Sequence, residues 1–509
     1  MKQNRKGISL IVLVITIIVM IVLAAAVVIA LDNSGVIEKS NAAAKSYNLA
    51  QVKTLTQLAW AEAYAGGART VDELQDAVDL ALNANNLTGV YEATATLKGV
   101  DVMLVDVPDD WKDSVSAVTE DGAPIPVGFV KSPYDGEGKV SGGLVIYALT
   151  ADEISKNEKD IITKDGEKKV SLQKRNQFVW VPVENFERDF VRKDRVNSTS
   201  ILSDTIGSTD KYWEISVGSN NLPLDSSVNI SAAISPVTLA EATAMYASVK
   251  KYGGFYIARY EVGGDQLLND GETSGGDFYT RYGWIGRGNT SVTMAKYPYN
   301  AIARGSLEVE NSNNAIGMAR AFYPSDATTY GVASTLTYGV QWDATLTWWE
   351  TLDSTFNFTT TIDKGIYYKT NIDGNYLNED AKRARYYEYD ANCEEAVCGD
   401  YFASYQEAEG REPEVLEYLY TTGAYEKANI YNIYDMAGNL AEMTMETQSN
   451  KNEWEEEIDY NYYAVMRGGS FRDQADISGT EVKSVAGYRT ISANSDATYI
   501  GFRPSLYIK

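Results

Sequence analysis

From Ile8 to Leu31 the chain carries no charged residue, and only Ser9 and Thr16 are polar. At about 1.5 Å per helical residue such a run crosses a hydrocarbon core of about 30 Å. The sequence therefore predicts a transmembrane helix. Lys2, Arg5 and Lys6 precede the run while Asp32 and Glu38 follow it, so the positive-inside bias puts the N-terminus in the cytoplasm and the rest outside. A cleaved secretory signal fits less well, because the small residues Ala24, Ala25 and Ala26 lie inside the run and not after it.

The junction Lys6-Gly7-Ile8-Ser9-Leu10 resembles the class III signal of type IV prepilins. That resemblance implies cleavage between Gly7 and Ile8, retention of the apolar helix as a filament core, and other pilin subunits as partners. Val12 stands where the family carries a glutamate that neutralises a neighbour's new amine, and without it a buried charge goes uncompensated. A plain signal anchor is the alternative.

The remaining chain is long enough for two or more domains, and its overall composition is that of globular proteins. A net charge of −25 repels phosphate backbones and anionic headgroups, which argues against nucleic acid and favours divalent cations. Solubility alone also accounts for it. The chain has no histidine, which excludes His-based triads, His-ligated metals and an imidazole base. Its two cysteines, Cys393 and Cys398, either close a small disulfide loop or remain free thiols.

After the break at DNSG, Ala-rich sequence predicts a stalk helix up to Gly66-Gly67, with Ile37, Ala44, Leu49, Leu55 and Ala59 on one face. Thr70 and Glu73 form a capping-box pattern ahead of a second helix, and TGVYEATATLKGVDVMLVDVP alternates like paired strands. A new unit is expected near Asp121, where Gly and Pro cluster. The charged stretch Glu153 to Lys169 reads as an exposed loop or hairpin, and helices are expected over Leu239 to Tyr252 and Asn313 to Tyr323. The expected organisation is a leader at 1–7, helix and stalk at 8–66, a small α/β pilin-like or linker segment at 67–120, and a large domain at 121–509. The fold class is α+β, with function carried on loops.

Six separated phrases follow one another along the chain: NQFVWVPVENF, GGFYIARYEVGG, LTYGVQWDATLTWW, NIYDMAGNLAEMT, MRGGSF, and GYR followed by IGFRP. FVWVPV and GFYIARYEVG read as buried strands, with Phe255, Ile257 and Tyr260 on a central one. Arg467 and Arg503 offer planar forks for carbonyls or carboxylates. Together the phrases resemble the formylglycine-generating enzyme (sulfatase-modifying factor) family and its relatives of C-type-lectin-like fold, over about 124–509.

Asp435 and Glu442, seven apart around the Gly438-Asn439 turn, are spaced to converge with turn carbonyls on a hard cation. The resemblance implies calcium, held by the side chains of Asp435 and Glu442 and the main-chain oxygens of Gly438 and Leu440. A turn in which Asp435 only caps the backbone is the alternative. The resembled enzymes hold copper with two cysteines between the GGS and GFR phrases. Here the span Gly468 to Arg503 contains none, and Ser, Asp or Thr cannot supply soft ligation. Sulfoxide-forming relatives use histidine-held iron, and this chain has no histidine. No catalytic residue is assigned, and a fold does not carry its family's function with it.

Arg472 to Tyr499 is polar and rich in small residues, the palette of adaptable binding loops. It resembles the C-terminal region of diversity-generating-retroelement variable proteins. Arg472, Asp473, Asp476, Tyr488, Asn494, Asp496 and Tyr499 are the candidate ligand-binding residues; exposed filler is the alternative. The reading is a cell-surface protein, anchored in a bacterial membrane or pilus, whose outer domain binds an extracellular protein or glycan without performing chemistry. An enzyme with an unrecognised active site and a structural minor pilin are the competing readings.

Overall fold

The computed structural model describes residues 36–85, 87–105, 107–155, 172, 174–193, 212–213, 235–267, 286–307, 313–354, 383–386, 417–424, 426–450, 459–470, 486–487, 489–492 and 499–509. The apolar run at 8–31, the Gly7-Ile8 junction, most of the charged stretch at 153–169 and both cysteines lie outside them. Among the described residues no helix is long and apolar enough to cross a membrane. The chain divides into two units, Met1–Asp106 with Ala117–Gly122, and Val107–Ser116 with Ala123–Lys509.

In the first unit, α1 (Val36–Gly66) and α2 (Val71–Ala84) pack on a small sheet. The expected capping box is formed. Thr70 accepts from the Glu73 N–H, and the Glu73 carboxylate accepts from the Thr70 N–H, so two orphan donors of α2 are satisfied. Leu74, Val78 and Leu82, spaced by four, then point inward and are buried. The α1 face differs from the expected one: Leu49, Val52 and Thr56 are buried, whereas Leu55 and Ala59 are half-buried. Thr56 can be buried because its hydroxyl donates to the Val52 carbonyl at 3.0 Å. The alternating segment forms the antiparallel pair β1 (Tyr91–Thr96) and β2 (Gly99–Leu104), in register from Tyr91 opposite Leu104 to Thr96 opposite Gly99. Ala93, Ala95, Val100, Val102 and Leu104 face the helices in one apolar cluster.

The second unit is built on a six-stranded sheet. Its strands are β3 (Phe129–Lys131), β4 (Val145–Ala148), β5 (Gln177–Pro182), β6 (Gly254–Ala258), β7 (Val332–Leu336) and β12 (Pro504–Ile508), in the spatial order β7-β12-β6-β5-β4-β3. All neighbours are antiparallel. β6 is central and buried throughout, as is its downstream Tyr260, in accord with the sequence reading. The two expected helices form as α3 (Pro236–Tyr252) and α4 (Ala315–Phe322). Ser235 caps α3 through the Thr238 N–H and Pro236 occupies its first turn. Gly253 ends it at φ 75°, a conformation that turns the chain straight into β6.

A further helix, α5 (Gly339–Leu352), is buried on every side from Gly339 to Trp349. A second sheet contains β8 (Ala441–Asn450), β9 (Asp459–Arg467), β10 (Arg489–Ser492) and β11 (Ile500–Phe502) in the order β10-β9-β8-β11, with Tyr212–Trp213 also paired to β8. The pairing of β8 with β11 is parallel; the other pairings are antiparallel. Thus the six phrases become neighbours. GFYIA pairs with both FVWVP and the strand after IGFR, while the strands of LAEMT, MR and GYR lie side by side.

Replacing the fully buried Leu74 by Ala should cost about 3 kcal/mol, and replacing Leu80, which is 69% exposed, under about 0.5 kcal/mol. Chemical denaturation followed by a probe in the first unit measures both. Equal losses would contradict the inward face assigned to α2.

Candidate functional site

The turn between Ile430 and Leu440 is held in a demanding conformation. Tyr431, Asn432, Asp435 and Asn439 all have positive φ, between 48° and 67°, and Asn and Asp tolerate this best because their short side chains bond locally. Here the side chains bond instead to distant segments. The Asn432 amide donates to the carbonyls of Gly136, Gly142 and Gly143, at 3.2, 3.0 and 2.7 Å. Asp435 accepts from the Gly423 N–H at 2.8 Å. Asn439 accepts from the Tyr420 N–H at 3.0 Å and donates to Glu261 at 2.8 Å.

Beneath this turn lies a cluster of buried carboxyl groups. Glu261, just past β6, also accepts from the Leu440 N–H at 2.9 Å. Glu442 receives the fork of Arg503, with Nε to Oε2 at 2.9 Å and Nη2 to Oε1 at 2.6 Å. Arg503 spends its remaining donors on the carbonyls of Ala258 and Tyr434, at 2.8 and 2.7 Å. Burial raises the Glu261 pKa well above the usual carboxylate range, and the charges of Asp435 and Glu442 add to the rise. Burial also raises Glu442, against the pull of Arg503. Three buried carboxyl groups, of Glu261, Asp435 and Glu442, therefore lie within electrostatic reach of Arg503.

The expected calcium set is thus brought to one place, with additions. Asp435, Gly438, Leu440 and Glu442 lie on one turn and the start of β8. The sequence reading missed Glu261 and did not foresee that Glu442 would be forked by Arg503. Among the described residues, no group of three or more His, Cys, Asp or Glu side chains is arranged to hold a metal ion. Any cation here would rely on two carboxylates with main-chain oxygens.

A second network lies along β8. Glu446 Oε1 accepts from Arg192 at 2.7 Å, and Oε2 accepts from Arg489 at 3.1 Å and from Arg467 at 3.3 Å. Asp343 of α5 is paired with Arg467 at 2.5 Å and Arg489 at 3.2 Å. Arg192, Arg467, Asp343 and Glu446 have fully buried side chains. The three arginines hold the Glu446 carboxyl below its usual range, although burial pushes it upward. The MRGGS turn is joined to the acidic turn by main chain: the Gly438 N–H donates to Gly468 O at 3.0 Å. Gly468 has φ 83°, and a Cβ there would sit 2.7 Å from the Met436 carbonyl oxygen. Asp343 was legible in principle, as a lone acid in the otherwise uncharged GVQWDATLTWW.

Of the candidate ligand-binding residues, Tyr499 is described and its carbonyl accepts from the Ala441 N–H at 3.0 Å. Arg472, Asp473, Asp476, Tyr488, Asn494 and Asp496 lie outside the described residues, as do Gly7, Ile8, Cys393 and Cys398.

The profile of the sulfatase-modifying factor enzyme 1-like domain matches residues 369–505. A domain of that kind is present in the chain. The matched stretch begins ahead of Cys393 and runs through the acidic turn, the MRGGS turn and Arg503. No curated protein and no solved structure gives a significant match.

Arg503→Met would leave Glu442 buried without its counter-charge and should cost about 3–5 kcal/mol, read from denaturant unfolding of the second unit. The raised Glu261 pKa also sets a pH dependence. The folded state binds that proton more tightly than the unfolded chain does, so its contribution is complete in acid and declines as pH climbs above the ordinary carboxylate range toward the folded pKa. In a chelating buffer, wild type should lose stability relative to Glu261→Gln as pH rises from 5 to 8. A constant difference across that window would refute the assignment.

Proposed function

We propose that this is a surface-displayed recognition protein, whose sulfatase-modifying-factor-like domain binds an extracellular protein or glycan and does not oxidise a thiol. One observation carries the reading. Between Gly468 and Arg503, where the resembled enzymes place their copper-binding cysteines, this chain has no cysteine, and it has no histidine anywhere. Copper(I) requires soft donors that the oxygen-bearing residues of that span cannot replace. The polar stretch from Arg472 to Tyr499 supports recognition, since its mixture of Tyr, Asn, Asp, Ser and Arg suits adaptable hydrogen bonding. Display outside the membrane rests on the apolar run Ile8–Leu31 and its flanking charges, with the Gly7-Ile8 junction as a prepilin-type processing site.

A structural calcium ion on Asp435, Glu442 and the main-chain oxygens of Gly438 and Leu440 belongs to the same reading. Its support is the proximity of the buried carboxyl groups of Glu261, Asp435 and Glu442 to one another. An enzymatic alternative is favoured by the domain match itself, since that domain type is named for an enzyme.

The purified chain should bind an extracellular glycan or protein on an array, and should consume no oxygen with copper and a thiol peptide. Stoichiometric copper uptake with oxygen consumption would select the enzyme instead. Calcium should raise Tm at neutral pH in wild type, and Asp435→Asn should abolish the rise. Mass spectrometry of the N-terminus should find Ile8 as the first residue; an intact Met1 or Lys2 start would mean a plain anchor.

A further inference from the structure

Arg304 is fully buried and has no acidic partner among the described residues. Its Nε donates to Gly305 O at 3.2 Å, and its Nη1 donates to Glu446 O and Thr447 Oγ1, both at 2.9 Å. All three acceptors are neutral. Nη2 is buried with no hydrogen-bond partner. Burial alone pushes the Arg304 pKa down to about 10, with no opposing contribution from a carboxylate.

Glu446 shows why no carboxylate is available. Its main-chain carbonyl serves Arg304, while its side-chain oxygens are divided among Arg192, Arg467 and Arg489. Asp343 is committed to Arg467 and Arg489. Neither of these two carboxylates is paired with Arg304. A guanidinium stays charged at any physiological pH, so the unpaired charge of Arg304 cannot be removed by losing a proton. A buried charge without a partner is strongly unfavourable.

We propose that Arg304 Nη2 forms an internal binding site for a small monovalent anion, either a halide or a simple carboxylate. Two features set the class. Arg304 is fully buried, which excludes large ligands, and a single nitrogen with two N–H groups suits one monovalent acceptor, a chloride or one carboxylate oxygen, and not a multiply charged oxyanion such as phosphate. The site is separate from the recognition reading and does not depend on it.

Thermal unfolding of the full chain at constant ionic strength, with gluconate exchanged for chloride or for formate, tests the proposal. Wild type should show a saturable rise in Tm, and Arg304→Gln should be flat, its apparent affinity reduced about tenfold or more. A response to chloride alone identifies a halide site; a response to formate identifies a carboxylate site. A rise of the same size in Arg304→Gln, or none in wild type, overturns it. Should the variant fail to fold, crystals of wild type grown in bromide decide the matter. An anomalous peak at hydrogen-bonding distance from Nη2 supports the site. No peak at saturating bromide, or a carboxylate of the chain itself on Nη2, refutes it.

Discussion

The second unit depends on the guanidinium of Arg503. This residue separates β11 from β12, and those two strands belong to different sheets. Its side chain reaches back to the end of β6, across to the acidic turn and into the Glu442 carboxylate on β8. Its own carbonyl accepts from the Thr337 N–H ahead of α5. One planar, permanently charged group thereby fixes three segments, and the main chain of the same residue a fourth, which a lysine could not do, because an ammonium has no fork to divide among carbonyl and carboxylate acceptors. The arrangement is worth its desolvation only when every donor is used, and four of the contacts are at 2.9 Å or shorter.

Strand β8 separates two opposite electrostatic environments. At Glu442 the surroundings are acidic, and carboxyl groups compete for one arginine. Four residues on, at Glu446, they are basic, and arginines compete for carboxylates. Burial gives both imbalances their force, since the same charges at the surface would be screened by water and salt. A carboxyl group can relieve the first by taking up a proton. A guanidinium has no such relief, because it keeps its proton.

Much of this was legible in the residues. The capping box at Thr70 and Glu73, the paired strands of the first unit, the α3 and α4 helices and the central strand at Phe255 followed from local pattern. Local pattern determines an element when its own periodicity and caps suffice. The buried networks were less accessible. Arg467 and Arg503 could be recognised as forks, but their partners lie 124 and 61 residues away, at Asp343 and Glu442. Only the assembled sheets bring such groups together. The α1 face was misjudged for a related reason: Thr56 counted as polar, yet an intrahelical bond to Val52 lets it be buried. Arg304 carried no signal at all, because its neutral acceptors are main-chain carbonyls and one hydroxyl.

The position of β12 has a consequence for how the chain is made. It lies between β7 and β6, yet the Thr337 hydroxyl at the end of β7 and the carbonyl it binds at Arg503 are 166 residues apart in sequence. As the polypeptide leaves the ribosome, both of those neighbours must wait with open hydrogen-bonding edges until the intervening stretch has been synthesised. Such topology makes for slow maturation and invites mispairing in the interval. Closure of the six-stranded sheet thus waits on the last strand to be synthesised among its six.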